Sequence, residues 1–151
     1  MKTFSYNIDI CTVWIAESNN TICSIAFAKQ PDFEVSETPL IKEAYIQIKD
    51  YLAGKRKDFD VPFSFIKGTE FQKKVWRALV DIDYGKTKSY KEVAEQVGSL
   101  KGYRAVGMAN NKNPIAIIVP CHRVINSNGK LCGYAGGIDV KQRLLDLEKN
   151  T

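Results

Sequence analysis

The chain holds one histidine, His122, and only four cysteines, Cys11, Cys23, Cys121 and Cys132, among 151 residues. A single histidine leaves too few nitrogen donors for a closed Cys/His zinc site, and the cysteine spacing fits neither a zinc ribbon nor a disulfide framework. No metal is therefore expected, and Cys11 and Cys23 read as strand core residues. Long apolar runs are missing as well. No stretch approaches the ~20 apolar residues that span a bilayer, and Met1 to Asp9 interrupts its apolar side chains with polar ones, unlike the core of a secretory signal. The expectation is a cytoplasmic protein with reduced thiols and no membrane partner. Repeats and low-complexity tracts are also lacking, and with 44% hydrophobic and 26% charged residues the chain has the composition of a folded globular protein.

The charge that is present is unevenly placed. An irregular stretch near Lys67-Gly68 separates residues 1–67, with 8 Lys/Arg against 9 Asp/Glu, from residues 68–151, with 14 against 8. The net charge of +5 thus belongs to the second part. A basic module suits a polyanion, since phosphate contacts supply most non-specific nucleic-acid affinity, although many basic domains bind nothing anionic.

The first part reads as an α/β domain. Tyr6, Ile8 and Ile10 alternate with polar residues, Thr12 to Ala16 continues the run, and Asn19-Asn20 marks a turn before a second strand, Ile22 to Ala28. From Pro39 the spacing turns helical, with Leu40, Ala44, Ile48 and Tyr51 or Leu52 on one face and Gly54 at the stop. Phe59 to Phe63 is extended at best, because Pro62 cannot donate to a ladder.

The second part is mainly α. Thr69 and Gln72 form a capping-box pattern ahead of Phe71, Val75, Leu79 and Ile82, and Ser89 and Glu92 repeat it ahead of Val93, Val97 and Gly98. A further helix follows from Tyr103 to Ala109. Two helices joined by a short Gly-containing turn suit a helix-turn-helix and a simple bundle equally. Asn113-Pro114 then leads into Ile115-Ala116-Ile117-Ile118-Val119, a β-branched run expected to form a buried strand that ends at Pro120-Cys121. After the Gly-rich loop Gly133-Tyr134-Ala135-Gly136-Gly137, Asp139 is expected to cap a last helix presenting Val140, Leu144 and Leu147. Cys132 reads as a small loop or strand residue.

A thiol at the mouth of a buried strand is ordinarily inert, because apolar surroundings raise its pKa and hide it. At Cys121, however, the chain's only histidine follows directly. Neighbours in a regular strand face opposite ways, so His122 can take the Cys121 proton only if the chain bends or a water bridges them. Pro120 suits such a corner. The residues alone leave an inert and a reactive thiol equally open.

Ile118-Val119-Pro120-Cys121-His122-Arg123-Val124-Ile125 resembles the active-site segment of the O6-alkylguanine-DNA alkyltransferases. The likeness runs from about Gly68 to Glu148 through Phe71-Gln72, Gly85, Ser89-Tyr90, Arg104-Ala105-Val106-Gly107, Asn113-Pro114, the 133–137 loop, and Lys141 through Leu144-Leu145 to Glu148. Residues 1–67 resemble the family only loosely. The resemblance implies a ribonuclease H-like α/β domain over 1–67 and a mainly α winged helix-turn-helix domain over 68–151 that holds DNA and accepts the alkyl group. Cys121 is then the nucleophile and final acceptor, His122 draws off its proton through a water, Glu148 orients the imidazole, and Asn113 ties down the turn before the apolar run.

A base inside a duplex cannot reach a buried thiol, so it must be flipped out. By resemblance Arg104 fills the vacated stack, Tyr90 crowds the backbone phosphate, and Ala105, Gly107 and Ala109 form a small face that lets the helix approach the minor groove. Arg123 counts among the DNA contacts. Tyr134, the main chain of Val124, Ala135 and Gly136 are the expected base-binding set. The implied activity is an irreversible, single-turnover transfer from O6-alkylguanine, and from O4-alkylthymine, in double-stranded DNA, by a monomer that needs no cofactor. Two positions depart from the family: Met108 replaces a second small residue common there, and Ala135 stands where some members carry Ser. Residues 1–67 show no ligands for the zinc site some relatives have. Competing readings are a non-catalytic alkyltransferase-like damage-binding protein, which lacks the acceptor cysteine, a helix-turn-helix regulator, which needs neither the Cys-His-Arg segment nor Glu148, and a cysteine hydrolase, whose oxyanion pattern is not visible.

Overall fold

In the computed structural model, residues 1–9, 11–99, 102–131 and 133–151 are described, and they form two units. The first comprises Met1–Ile66 with Pro114–Ala116, the second Lys67–Asn113 with Ile117–Thr151. The expected positions of Ile10 and Cys132 lie outside the described residues.

The first unit is built on a four-stranded sheet in the order β3-β2-β1-β4. The apolar run read as one strand up to Ala16 is two, β1 (Lys2–Asn7) and β2 (Thr12–Ser18), antiparallel and joined by a turn in which Ile8 N–H donates to Cys11 O at 2.8 Å. Asn19 and Asn20, at φ of 52° and 63°, then turn the chain into β3 (Thr21–Ala26). Asparagine tolerates the left-handed region that a two-residue hairpin demands. The short β4 (Glu34–Val35) pairs parallel to β1. Helix α1 (Pro39–Leu52), capped by the Thr38 hydroxyl, lays Ile41, Ala44, Ile48 and Tyr51 on the sheet. Pro62 enters the ladder only as an acceptor, from Ile22 N–H at 2.8 Å, as a residue without an N–H must.

The second unit is helical: α2 (Glu70–Val80), α3 (Tyr90–Val97), α4 (Gly102–Asn111) and α5 (Ile138–Asn150), with a two-residue parallel ladder between β5 (Lys88–Ser89) and β6 (Val124–Ile125). Both capping boxes form, Thr69 with Gln72 and Ser89 with Glu92, each satisfying two N–H groups that would otherwise lack partners. Gly98 closes α3 in a left-handed conformation. Val75, Leu79, Ile82, Val93, Val106, Val119, Val124 and Leu144 are buried, and the Trp76 indole donates to Ala109 O at 2.8 Å. Asp139 does not cap α5. Gly137 takes the cap position without a side-chain bond, leaving Asp139 in the first turn, where its charge suits the positive end of the helix dipole.

The expected strand over Ile115–Val119 is absent. Only Ile115 makes a ladder contact, a bridge to Ile25 on the edge of β3, after which the chain turns. Ile117, buried and β-branched, sits at φ 72°, a conformation that costs such a residue of order 1–3 kcal/mol. Burial of the apolar run on all sides came from packing rather than pairing, which hydrophobicity alone does not distinguish.

Candidate active site

The turn after Ile117 delivers the chain to a corner at Pro120. Val119 O accepts from both Asn113 Nδ2 at 2.9 Å and Cys121 N–H at 2.8 Å, and Pro120 has the φ of −82° and ψ of 64° of an inverse γ-turn. Cys121, His122 and Arg123 then form a single 3-10 turn. Cys121 therefore does not end a strand, and the strict alternation that would separate it from His122 does not apply. Cys121 O accepts from Val124 N–H and from Asn110 Nδ2 at 3.3 Å, which ties the turn to α4.

His122 is fully buried, and its Nε2 lies 2.8 Å from Glu148 Oε2 on α5. That contact leaves Nδ1 as the ring nitrogen on the other side of the imidazole. The Glu148 carboxylate also accepts from Arg123 Nε at 2.8 Å, from Arg123 Nη2 at 2.9 Å and from Gly85 N–H at 3.2 Å. Gly85 is at φ 77°, and a Cβ there would come 3.4 Å from Glu148 O, so glycine suits this approach. A carboxylate in low dielectric needs this many donors.

Arg123 was expected to touch DNA. It is instead 7% exposed, engaged twice to Glu148, with Nη1 donating to Ile82 O at 2.6 Å and the guanidinium 5.7 Å from the Tyr84 ring centre. A planar fork with three committed N–H groups is a structural brace. Ala109 also faces inward, at 2% exposure, with its carbonyl taken by Trp76, so the small face of α4 that can meet a ligand is reduced to Ala105 and Gly107. Arg104 is exposed. Tyr90 is buried, its ring 3.7 Å from where a Gly107 Cβ would stand. Tyr134 and Gly136 are half-buried and Ala135 exposed.

Two residues at this centre had no role in the sequence reading. Lys141, at 0% exposure, donates from Nζ to Val124 O at 2.6 Å and lies 5.8 Å from the Tyr90 ring centre. The signal was present: Lys141, Leu144 and Glu148 stand at i, i+3 and i+7 on one helix stripe, so burying Leu144 buries both charges. Asn110 likewise shares the inner face of α4 with Val106.

Burial pushes the Cys121 thiol above its ordinary range, against the opposing hydrogen bond from Asn113 and the positive charge of Lys141. Burial pushes the His122 imidazole below its ordinary value, and the positive charges of Arg123 and Lys141 add to this while the Glu148 carboxylate opposes it. Both shifts favour the neutral thiol and the neutral imidazole over the ion pair. A thiol followed by an imidazole that is held by a carboxylate is an arrangement able to supply an activated nucleophile. Among the described residues no group of three His, Cys, Asp or Glu could hold a metal, and no helix is long and apolar enough to cross a membrane.

The model of the 6-O-methylguanine DNA methyltransferase DNA binding domain matches residues 70–150, and that of the ribonuclease-like domain of the same family matches residues 1–65. The methylated-DNA–protein-cysteine methyltransferase of Methanosarcina acetivorans is 56% identical over 118 residues, covering 78% of this chain and 75% of that protein. That of Methanosarcina mazei is 54% identical over 123 residues, covering 82% and 77%. The crystal structure of Mycobacterium tuberculosis OGT in complex with DNA superposes with a TM-score of 0.91 at 41% identity, covering 99% of this chain and 94% of that one. The O6-methylguanine-DNA methyltransferase of Pyrococcus kodakaraensis gives a TM-score of 0.74 at 26% identity, covering 97% and 98%. A sheet domain followed by a helical DNA-binding domain is the class of fold, and the chain belongs to the 6-O-methylguanine DNA methyltransferase family.

Proposed function

We propose that this protein repairs DNA by direct reversal, moving the alkyl group of O6-alkylguanine, and of O4-alkylthymine, from double-stranded DNA onto Cys121. The observation that carries the reading is the 2.8 Å contact of His122 with Glu148 immediately beside the buried Cys121. As the alkyl carbon approaches, the Cys121 proton passes toward His122, Sγ bonds to the alkyl carbon, the carbon–O6 bond breaks with its electron pair going to O6, and the proton ends on the released guanine. The imidazole returns to neutral and the sulfur remains as a thioether. Among the described residues no group at the site can attack that thioether, and on this reading each molecule acts once, without a cofactor.

α3 and α4 act as a winged helix-turn-helix pair on this reading, with α4 entering the minor groove, and the first unit is ribonuclease H-like. The exposed Arg104 fills the space of the flipped base, while Tyr90 crowds its phosphate and Ala105 and Gly107 give the helix a close approach. Tyr134, Ala135, Gly136 and the Val124 main chain receive the base. Asn113 supports the nucleophile by fixing Val119 O and reaching the thiol. The working form is a cytoplasmic monomer, in a compartment that keeps Cys121 reduced. Intact-mass analysis after incubation with a duplex holding one O6-methylguanine tests the reading. The expected result is one lesion removed per molecule and a gain of one methylene on Cys121, absent in Cys121→Ser. Repeated turnover, or tight binding at unchanged mass as in a non-reacting damage-binding protein, overturns it.

A further inference from the structure

Helix α4 divides sharply by side. Val106, Ala109 and Asn110 are buried, while Arg104, Met108 and Asn111, at i, i+4 and i+7, form one exposed stripe. Met108 is 70% exposed, more than any other large apolar side chain among the described residues. A thioether standing in water beside an arginine, on the outer face of a helix in a basic unit, has no packing role inside its own domain.

Accepting the DNA-repair reading above, we infer that Met108 is a further DNA-contacting residue, an apolar wedge that fills the opened minor groove beside the base stack entered by Arg104. The dimensions suit this. Residues at i and i+4 are about 6 Å apart along a helix axis, comparable to the ~6 Å width of the minor groove, whereas a helix with its side chains is about 10–12 Å across. α4 therefore enters only a groove that has been widened, and an opened groove exposes sugar and base-edge surface that apolar side chains cover. Methionine, unbranched and with three torsions, adapts to such an irregular surface. The other end of the stripe is fixed: a Cβ on Gly133, whose φ is 46°, would meet Asn111 Nδ2 at 3.1 Å, so Asn111 lies against the start of the loop carrying Tyr134. Met108 consequently sits between Arg104 and that loop.

An apolar contact releases no condensed counterions, so its share of affinity does not depend on salt. The test compares wild type, Met108→Ala and Arg104→Ala by fluorescence anisotropy with an undamaged and an O6-methylguanine duplex across a salt series. Met108→Ala is expected to weaken binding about three- to tenfold at every salt concentration with the log–log slope unchanged, and Met108→Leu to keep most of the affinity. Arg104→Ala should flatten the slope by about 0.9. An unchanged melting temperature shows that the fold is intact. Unchanged or tighter DNA binding by Met108→Ala, or a shifted slope, overturns the inference. So does wild-type self-association that Met108→Ala abolishes while DNA binding stays intact, which would put a second copy of the chain on this face. Failure of the repair reading is visible separately, as wild-type protein that takes no alkyl group from the duplex.

Discussion

Replacing Glu148 by glutamine keeps the volume of the side chain and removes one charge, so it isolates what the carboxylate does. In the native protein that charge offsets Arg123 and holds His122, both buried. Removing one partner of a buried ion pair costs about 3–5 kcal/mol. Arg123 would keep Ile82 O at 2.6 Å, and the glutamine oxygen could still accept from Gly85 N–H, so the loss belongs at the lower end, about 3 kcal/mol. A domain of this size loses about 4–8 °C of melting temperature per kcal/mol, which puts the fall at about 12–24 °C. The alkyl-transfer rate, measured in single turnover well below the new midpoint, should drop at least ~100-fold, because the imidazole has lost the group that orients it. Adding Arg123→Met to Glu148→Gln removes the stranded charge and should restore about 1 kcal/mol or more relative to additivity. The rate should stay low. A single variant that melts within about 4 °C of wild type, or a double variant whose loss equals the sum of the singles, would refute this account of the brace.

Three further outcomes follow from the same geometry. Below the ordinary imidazole value of 6.5 the unfolded chain takes up a proton that buried His122 resists, and above the ordinary thiol value of 9.0 it gives up one that buried Cys121 keeps. The contribution of this pair to stability should therefore hold between those values, falling on the acid side toward the depressed histidine pKa and on the alkaline side toward the raised thiol pKa, each group adding a slope of at most about 1.4 kcal/mol per pH unit. Cys11 and Cys23, also pushed up by burial, add to the alkaline fall, so urea midpoints across pH for Cys121→Ser against wild type isolate the Cys121 part, and an alkaline fall as steep in that variant as in wild type would contradict it. Arg123→Met should lower stability without changing the salt slope of DNA binding, whereas Arg104→Ala should leave stability within about 0.5 kcal/mol and flatten that slope; the reverse pattern would return Arg123 to the DNA interface. Lys141→Met removes a positive charge that favours the thiolate and a donor to Val124 O, and about a tenfold slower transfer per pKa unit of thiol shift is expected; a pH–rate profile identical to that of wild type would leave Lys141 a packing role only.

The sequence by itself determined the helices that carry their own start signals. Thr69 with Gln72 and Ser89 with Glu92 satisfy the first N–H groups locally, so those helix starts were legible without any knowledge of the rest of the chain. It also determined the Asn19-Asn20 turn, because few residues tolerate that backbone conformation. The family and its candidate nucleophile were readable from the segment around Cys121. What only the tertiary structure decided concerns groups whose surroundings come from distant parts of the chain. Ile115–Val119 is apolar enough for a strand or for a packed turn, and in the folded chain it is a buried turn with Ile117 at φ 72°. Arg123 is indistinguishable by type from a DNA-binding arginine until Ile82, Tyr84 and Glu148 close around it. The shifts of Cys121 and His122 away from their ordinary pKa values come first from burial, and burial belongs to the folded molecule.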